Sequence, residues 1–357
     1  MFIAIVITHK LKYMNELVKL IEEYKKSPEI FQAGRYWKSY EDKIIRDIEK
    51  TDINELRSGK HPIFATFGFG ESVYYYHPNQ VFYRKLILKI IRRFFITNKQ
   101  TLPYSLSLTD IREMAYNHCI LQGELANIKP ISEIEVSTFG KPQDLFKIKG
   151  KQYTMAFLTY YIRLCYVQRH LKLKGNEIIV ELGSGSGHQV EILKKVFPDL
   201  TILCFDLPYA LYLCSEYLQR ALGDESIIKP SRAINIRDMV NIEKGKVHMF
   251  GNWQFPILKN FKFDLFWNAA SFGEMEPNIV KNYLKYILEG CQAIYLLQAR
   301  HGKESSKNTG VVTPISFDDY VLMLNGFKLI SEADAFQANR RLAESGGYFH
   351  AVWRKEV

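Results

Sequence analysis

Residues 178–187 read Ile-Ile-Val-Glu-Leu-Gly-Ser-Gly-Ser-Gly. An apolar run that passes through Glu181 into Gly183, Gly185 and Gly187 is suited to holding a nucleotide-like cofactor at the carboxyl end of a strand. Glycines let the turn close tightly and let a ligand approach the backbone. The first N–H groups of the helix that follows then face that ligand. The spacing separates ligand classes. A dinucleotide fingerprint requires G-x-G-x-x-G, whereas here the glycines alternate and the third-glycine position holds His188. Glu181, just ahead of the turn, is placed to accept from the amino group of a cationic amino-acid tail. The bland alternative, a structural strand–helix turn, loses ground to the residues downstream.

Thr201–Phe205 reads as a second strand ending at Asp206, which follows Gly185 by 21 residues. An acid about 20 positions after the glycine turn is placed to bond ribose hydroxyls. Since Leu207-Pro208 follow, Asp206 could equally cap the next helix. Ligands of doubly wound sheets lie at the carboxyl ends of the strands. The strand ends to inspect are therefore Glu181–Gly187, Asp206, Gly251–Trp253, Asn268–Glu274 and Gln298–His301. The cofactor-binding set expected from them is Glu181, Gly183, Ser184, Gly185, Gly187, Asp206, Leu207, Asn252, Trp253 and Asn268. Asn252 and Trp253 would offer an amide edge and a flat face to a base, although an ordinary turn explains them as well.

The elements that must position these residues alternate strand and helix from about residue 151 onward. Tyr153–Leu173 has a long helical pattern, and Gln189–Phe197 is helical with Val190, Leu193, Val196 and Phe197 on one face. A helix over Tyr209–Leu222 precedes strands at Val247–Phe250, Phe263–Trp267, Ala293–Leu297, Phe327–Ile330 and Tyr348–Trp353, with helices to about Glu289 and over Ser316–Asn325. Residues 224–245 have no clear pattern, and 302–313 read as a polar loop. This alternation predicts an α/β fold with a Rossmann-like, doubly wound, mostly parallel sheet. The first 150 residues pattern instead as a mainly helical cap, with the junction in the turn-rich stretch 131–151. Its expected pieces are helices over Leu11–Lys26 and Trp37–Ile53, an aromatic and glycine-rich loop over Phe64–Tyr76, an apolar-basic helix over Val81–Ile96, and a helix opened by an Asp110/Glu113 capping box.

The chain has 357 residues, of which 47% are hydrophobic and 24% charged, ordinary values for a globular protein of one large or two medium domains. Phe2–Ile7 is too short for a membrane span or a signal segment. Five cysteines at 119, 165, 204, 214 and 291 form no zinc pattern; four lie in apolar runs and read as core thiols, which fits a reducing cytoplasm. No metal site is expected. The net charge of +10 suits an anionic partner or a peripheral membrane contact, or simply solvated lysines. The oligomeric state is not legible.

The run Glu181-Leu-Gly-Ser-Gly-Ser-Gly resembles the first motif of Rossmann-like, class I S-adenosylmethionine-dependent methyltransferases. Together with Phe205-Asp-Leu-Pro-Tyr-Ala-Leu-Tyr-Leu, Phe263-Asp-Leu-Phe-Trp-Asn-Ala-Ala-Ser-Phe-Gly-Glu-Met and Glu135–Pro142, it resembles the sugar O-methyltransferases of bacterial surface-polysaccharide clusters. The likeness spans about 131 to 301, is looser around Trp37–Arg57, and departs where Ser184 and Ser186 replace the family's more usual Gly-Gly. It implies S-adenosyl-L-methionine as cofactor and a sugar hydroxyl, on a nucleotide sugar or a glycan, as acceptor. A hydroxyl is a poor nucleophile, so a general base helps; His301, Glu274 and His188 are the strand-end candidates, and Arg300 could hold a phosphate or carboxylate of the acceptor. A nucleic-acid methyltransferase is the first rival, but the fourth strand ends Asn268-Ala-Ala-Ser271 without the Pro-Pro turn of amino-methylating enzymes, so no nucleic acid is expected. A non-catalytic scaffold in glycan synthesis is the second, and the intact motif argues against it. A dehydrogenase is third, on spacing.

Overall fold

The computed structural model describes residues 15–60, 64, 67, 108–303, 310–335 and 347–356. Phe2–Ile7, which reads as a first strand or the start of a buried helix, most of the aromatic loop 64–76, the basic helix 81–96 and part of the 302–313 loop lie outside the described residues.

In chain order the helices are α1 (15–25), α2 (Arg35–Lys38), α3 (Glu41–Lys50), α4 (Leu108–Ala126), α5 (Met155–Leu171), α6 (His188–Val196), α7 (Pro208–Leu222), α8 (Pro230–Ala233), α9 (Pro277–Gly290) and α10 (Phe317–Met323). The strands are β1 (Phe146–Ile148), β2 (Lys151–Tyr153), β3 (Ile178–Leu182), β4 (Thr201–Asp206), β5 (Ile227–Ile228), β6 (Val247–Gly251), β7 (Phe263–Ala269), β8 (Cys291–Ala299), β9 (Phe327–Asp334) and β10 (Tyr348–Lys355). β1 and β2 form a separate hairpin. The other strands make one eight-stranded sheet in the order β5-β6-β4-β3-β7-β8-β10-β9. The pairs from β5 to β8 are parallel, and β10 runs antiparallel to both β8 and β9. This is the Rossmann-like, doubly wound, mostly parallel arrangement that the alternation predicts. The strand order reverses between β3 and β7, so a crevice opens at their carboxyl ends.

Period-2 side-chain alternation sorts the strands into two packed layers. Ile179, Ile202, Cys204, Met249, Leu265 and Trp267 face the layer built by α1, α4, α5, α6 and α7. Val180, Leu203, Phe205, Phe250, Phe266 and Ile294 face α9 and α10. The central strands are covered on both sides, which is why they read as continuous apolar runs. All five cysteines are free and buried, one more than the four whose apolar context predicts it.

Several local expectations need revision. The Trp37–Ile53 segment is not one helix: α2 and α3 are separate, with Ser39 and Tyr40 between them. α4 starts at Leu108, so Asp110 falls in its first turn rather than ahead of it. The segment before the sheet is not all helix and turn, since the β1–β2 hairpin precedes Thr154, whose hydroxyl caps α5 by accepting from Phe157 N. Helix α7 is capped at Leu207 with Pro208 as its first residue, so Asp206 is free of capping duty. Within 224–245 the chain forms β5 and α8, pieces too short to show a period.

Candidate functional site

At the carboxyl ends of β3, β4, β6 and β7 lies a cavity of about 280 Å³. Its floor is the glycine turn. Glu181, Gly183, Ser184 and Gly185 line it, followed by Ser186 and Gln189 at the start of α6. Gly183 sits at φ +81°, and a Cβ there would lie 2.4 Å from the Ser271 side chain. Gly185 sits at φ +53°, and its Cβ would meet the Phe67 carbonyl at 3.0 Å. Only glycine combines this backbone with so close an approach. Gly187 shapes the turn from behind: it precedes α6, faces Cys214 and Leu218, and does not line the cavity.

Three carboxylates converge on this space. Asp206 ends β4, and its two oxygens accept from Gly185 N at 2.8 Å and Leu207 N at 2.7 Å, tying the glycine turn to the second strand. Burial pushes it up to about 6, against the pull of these backbone N–H groups. Glu181 is 3% exposed. Burial raises it to about 8, with the Ser184 hydroxyl and the charge of Arg163 acting the other way and Asp206 adding to the rise. Glu274, in the turn after β7, accepts from Trp37 Nε1 at 2.9 Å and from Lys303 Nζ at 2.6 Å. Burial raises its pKa, opposed by Lys303 and Trp37. On Lys303, burial works against the charge but the Glu274 partnership outweighs it and holds the ammonium above its ordinary value.

Asn252 begins the turn after β6 and lines the cavity beside Tyr283. Its amide nitrogen donates to Phe31 O at 2.5 Å and to the Tyr283 hydroxyl at 3.0 Å. Its Oδ1 is buried without a partner, an acceptor matched to an exocyclic amine such as that of adenine. Asn268 does not line the cavity. It is fully buried behind the wall, donating to Leu182 O and Ser271 Oγ and accepting from Phe272 N and Gln298 Nε2. Gln298 in turn accepts from Gly273 N. This closed pair of amides fixes the 269–274 turn against the end of β3, where Ala270 is held at φ +71°, an uncommon state for a residue other than glycine.

The other predicted site residues lie elsewhere. Trp253 packs against Tyr24, ring centroids 5.6 Å apart, outside the cavity lining. His188 is fully buried between Tyr160 and Tyr217, with Nδ1 against Ser186 Oγ, and does not reach the cavity. His301 is an exposed turn residue outside the lining. Arg300 is already ion-paired with Glu332 and with Asp334 from β9, and it too lies outside. Of the base candidates, only Glu274 faces the cavity.

Sequence reasoning missed the roof and one wall. Gln32, Ala33, Gly34 and Trp37 close the cavity from above, with Trp37 stacked on Phe67 at 5.0 Å. Tyr160 and Arg163 of α5 form the wall nearest Glu181. Arg163 had a legible signal: it is a cation inside the apolar run Tyr160-Tyr-Ile-Arg-Leu-Cys165. The roof had none, because nothing local ties residues 32–37 to strand ends more than 140 positions away. Among the described residues there is no cluster of three or more metal-ligating side chains and no helix long and apolar enough to cross a membrane.

No protein-family model matches this chain, and no curated protein matches it. Among solved structures it is similar to a SAM-dependent methyltransferase from Aquifex aeolicus, at 15% identity over 54% of this chain and 88% of that one, TM-score 0.35. It is also similar to a DhpI–SAH complex, at 12% identity over 53% and 81%, TM-score 0.34. A third likeness is to an O-methyltransferase family protein from Burkholderia thailandensis, at 11% identity over 56% and 57%, TM-score 0.37.

Proposed function

We propose that this protein is an S-adenosyl-L-methionine-dependent O-methyltransferase whose acceptor is a sugar hydroxyl, on a nucleotide sugar or a surface glycan. The observation that carries the reading is the convergence at one cavity of Glu181, the bare glycine turn, Asp206 and Asn252, whose buried acceptor has no partner. These residues fit the donor. Glu181 is placed for an ammonium, the glycine cradle for close backbone approach, Asp206 for ribose hydroxyls and Asn252 Oδ1 for the adenine amine. When bound, the donor supplies a methyl group on a positively charged sulfur, already activated for transfer.

The chain's task is then alignment and proton removal. Glu274 is the base in this reading. Lys303 and the Trp37 indole hold its carboxylate in place, and the Lys303 ion pair favours its charged form. An acceptor hydroxyl within reach of Glu274 would pass its proton there as the oxygen bonds to carbon. The roof of Trp37 and Phe67 limits water at the reacting end. The sugar class rests on the sequence likeness, and the net charge of +10 is consistent with an anionic acceptor. Calorimetric titration with S-adenosylhomocysteine beside NAD tests the donor: micromolar binding of the first alone is expected, and binding of NAD alone would overturn the reading. A screen of nucleotide sugars and glycans for methyl acceptance then tests the acceptor, with RNA and DNA as the competing classes.

A further inference from the structure

The charges that face the cavity do not cancel pairwise. Glu274 is matched by Lys303 from outside the lining, and Asp206 is held by two backbone N–H groups. Arg163 has no such match. It reaches the cavity from α5 with its guanidinium 4.5 Å from the centre of the Tyr160 ring. Its Nε is buried without a partner, and no hydrogen bond or ion pair engages its side chain among the described residues. Glu181 is near enough for the Arg163 charge to act on it, yet the two form no ion pair. A half-buried guanidinium without an anion and a buried carboxyl without a cation, facing one space and not touching, are costly unless a ligand completes both. A ligand that carries both charges on one carbon does so.

We propose that Arg163 is the carboxylate anchor of the cavity, and that Arg163 and Glu181 together receive the zwitterionic α-amino-acid end of the ligand. The inference rests on the methyl-donor reading and deepens it. Arg163 is a positioning residue: by fixing the tail it sets where the rest of the donor lies along the glycine turn. A guanidinium suits the role because its planar fork meets a carboxylate through two parallel bonds, and Tyr160 beneath it limits the ways it can turn. The same guanidinium could instead meet an anionic group of the acceptor, and binding measurements separate the two.

The experiment is calorimetry on the full chain, wild type against Arg163→Gln and Arg163→Lys, with three probes: S-adenosylhomocysteine, decarboxylated S-adenosylmethionine, and 5′-methylthioadenosine, which lacks the whole tail. Loss of one charge-assisted contact should weaken S-adenosylhomocysteine by about 10- to 100-fold in Arg163→Gln. 5′-Methylthioadenosine should bind the variant and the wild type equally, decarboxylated S-adenosylmethionine should lose less than S-adenosylhomocysteine, and Arg163→Lys should recover part of the loss. A purely structural role would weaken all three probes together and overturn the proposal. So would undiminished S-adenosylhomocysteine binding, which would assign the anchor to the acceptor. If the wild type binds none of the three, the methyl-donor reading itself fails, and the anchor with it.

Discussion

Glu181 makes ligand affinity depend on pH in a way that can be worked out from its surroundings. In the free protein burial raises it to about 8, so at neutral pH most molecules carry the protonated acid. An ammonium tail requires the carboxylate, so binding must expel that proton. One pH unit below the free pKa corresponds to about 1.4 kcal/mol, or tenfold, of lost affinity, and two units to about 100-fold. S-adenosylhomocysteine should therefore bind about tenfold more tightly per unit from pH 6 to 7, level off above pH 8, and release close to one proton at pH 7. Calorimetry in two buffers of different ionisation enthalpy reads both quantities. Stability without ligand runs the opposite way. The folded pKa lies above the unfolded one, so the unfolded chain loses this proton first and stability falls as pH rises from about 4.5 to about 8. The shift corresponds to about 3–5 kcal/mol in total. Glu181→Gln should thus melt higher than the wild type at pH 8.5, match it near pH 4.5, and bind the ligand weakly at every pH. An affinity constant within twofold between pH 6 and 8, with no proton released, would refute the assignment of Glu181 to a cation.

Other outcomes follow from individual contacts. Asp206→Ala removes the acceptor of two backbone N–H groups and a ribose partner; S-adenosylhomocysteine affinity should fall by about 10-fold or more, and a change under twofold by calorimetry would place the nucleoside elsewhere. Gly183→Ala puts a Cβ 2.4 Å from Ser271 at φ +81°, costing about 2–4 kcal/mol from the left-handed backbone plus overpacking, read as a lowered midpoint in urea. Asn268→Ala leaves Phe272 N and Gln298 Nε2 without their acceptor and should cost about 2–5 kcal/mol, while ligand affinity in the folded fraction changes less than in Asp206→Ala. Glu274→Gln should lower kcat for methyl transfer by about 100-fold or more with S-adenosylhomocysteine affinity retained; unchanged kcat would remove Glu274 as base.

The strands and their order of appearance were legible because each central strand is buried on both faces and stops at a polar or glycine-rich turn. Residues 224–245 gave no period to read because β5 has only two residues and α8 four. At the site, residues set by local chain geometry were legible: the glycine turn and the acid at the end of β4 lie near one another in sequence as well as in space. Residues whose position depends on packing were not. His188 stands beside the glycines in sequence, yet the helical turn of α6 carries its ring away from the cavity, between Tyr160 and Tyr217. Arg300 stands at a strand end, but β9 supplies two carboxylates that hold it there. Trp37, by contrast, meets Glu274 across 237 positions, a distance no pattern spans.

The three acids of the cavity show how one strand-end geometry can serve three different chemistries. Asp206 is satisfied by backbone donors that belong to the fold, so its carboxylate is fixed in direction and can only accept further bonds, as a ribose hydroxyl requires. Glu274 is satisfied by side chains from two distant segments, Trp37 and Lys303. Burial raises its pKa and these two donors oppose the rise, so the groups that cover the base also help to keep its carboxylate charged. Glu181 has neither a fixed backbone donor nor a paired cation, and it alone is raised to about 8. In the ligand-free cavity it therefore rests mostly as the neutral acid near pH 7, beside the unmatched guanidinium of Arg163. A zwitterion draws the proton from Glu181 and gives Arg163 its anion, so the same pair of groups supplies selectivity for the ligand's amino-acid end.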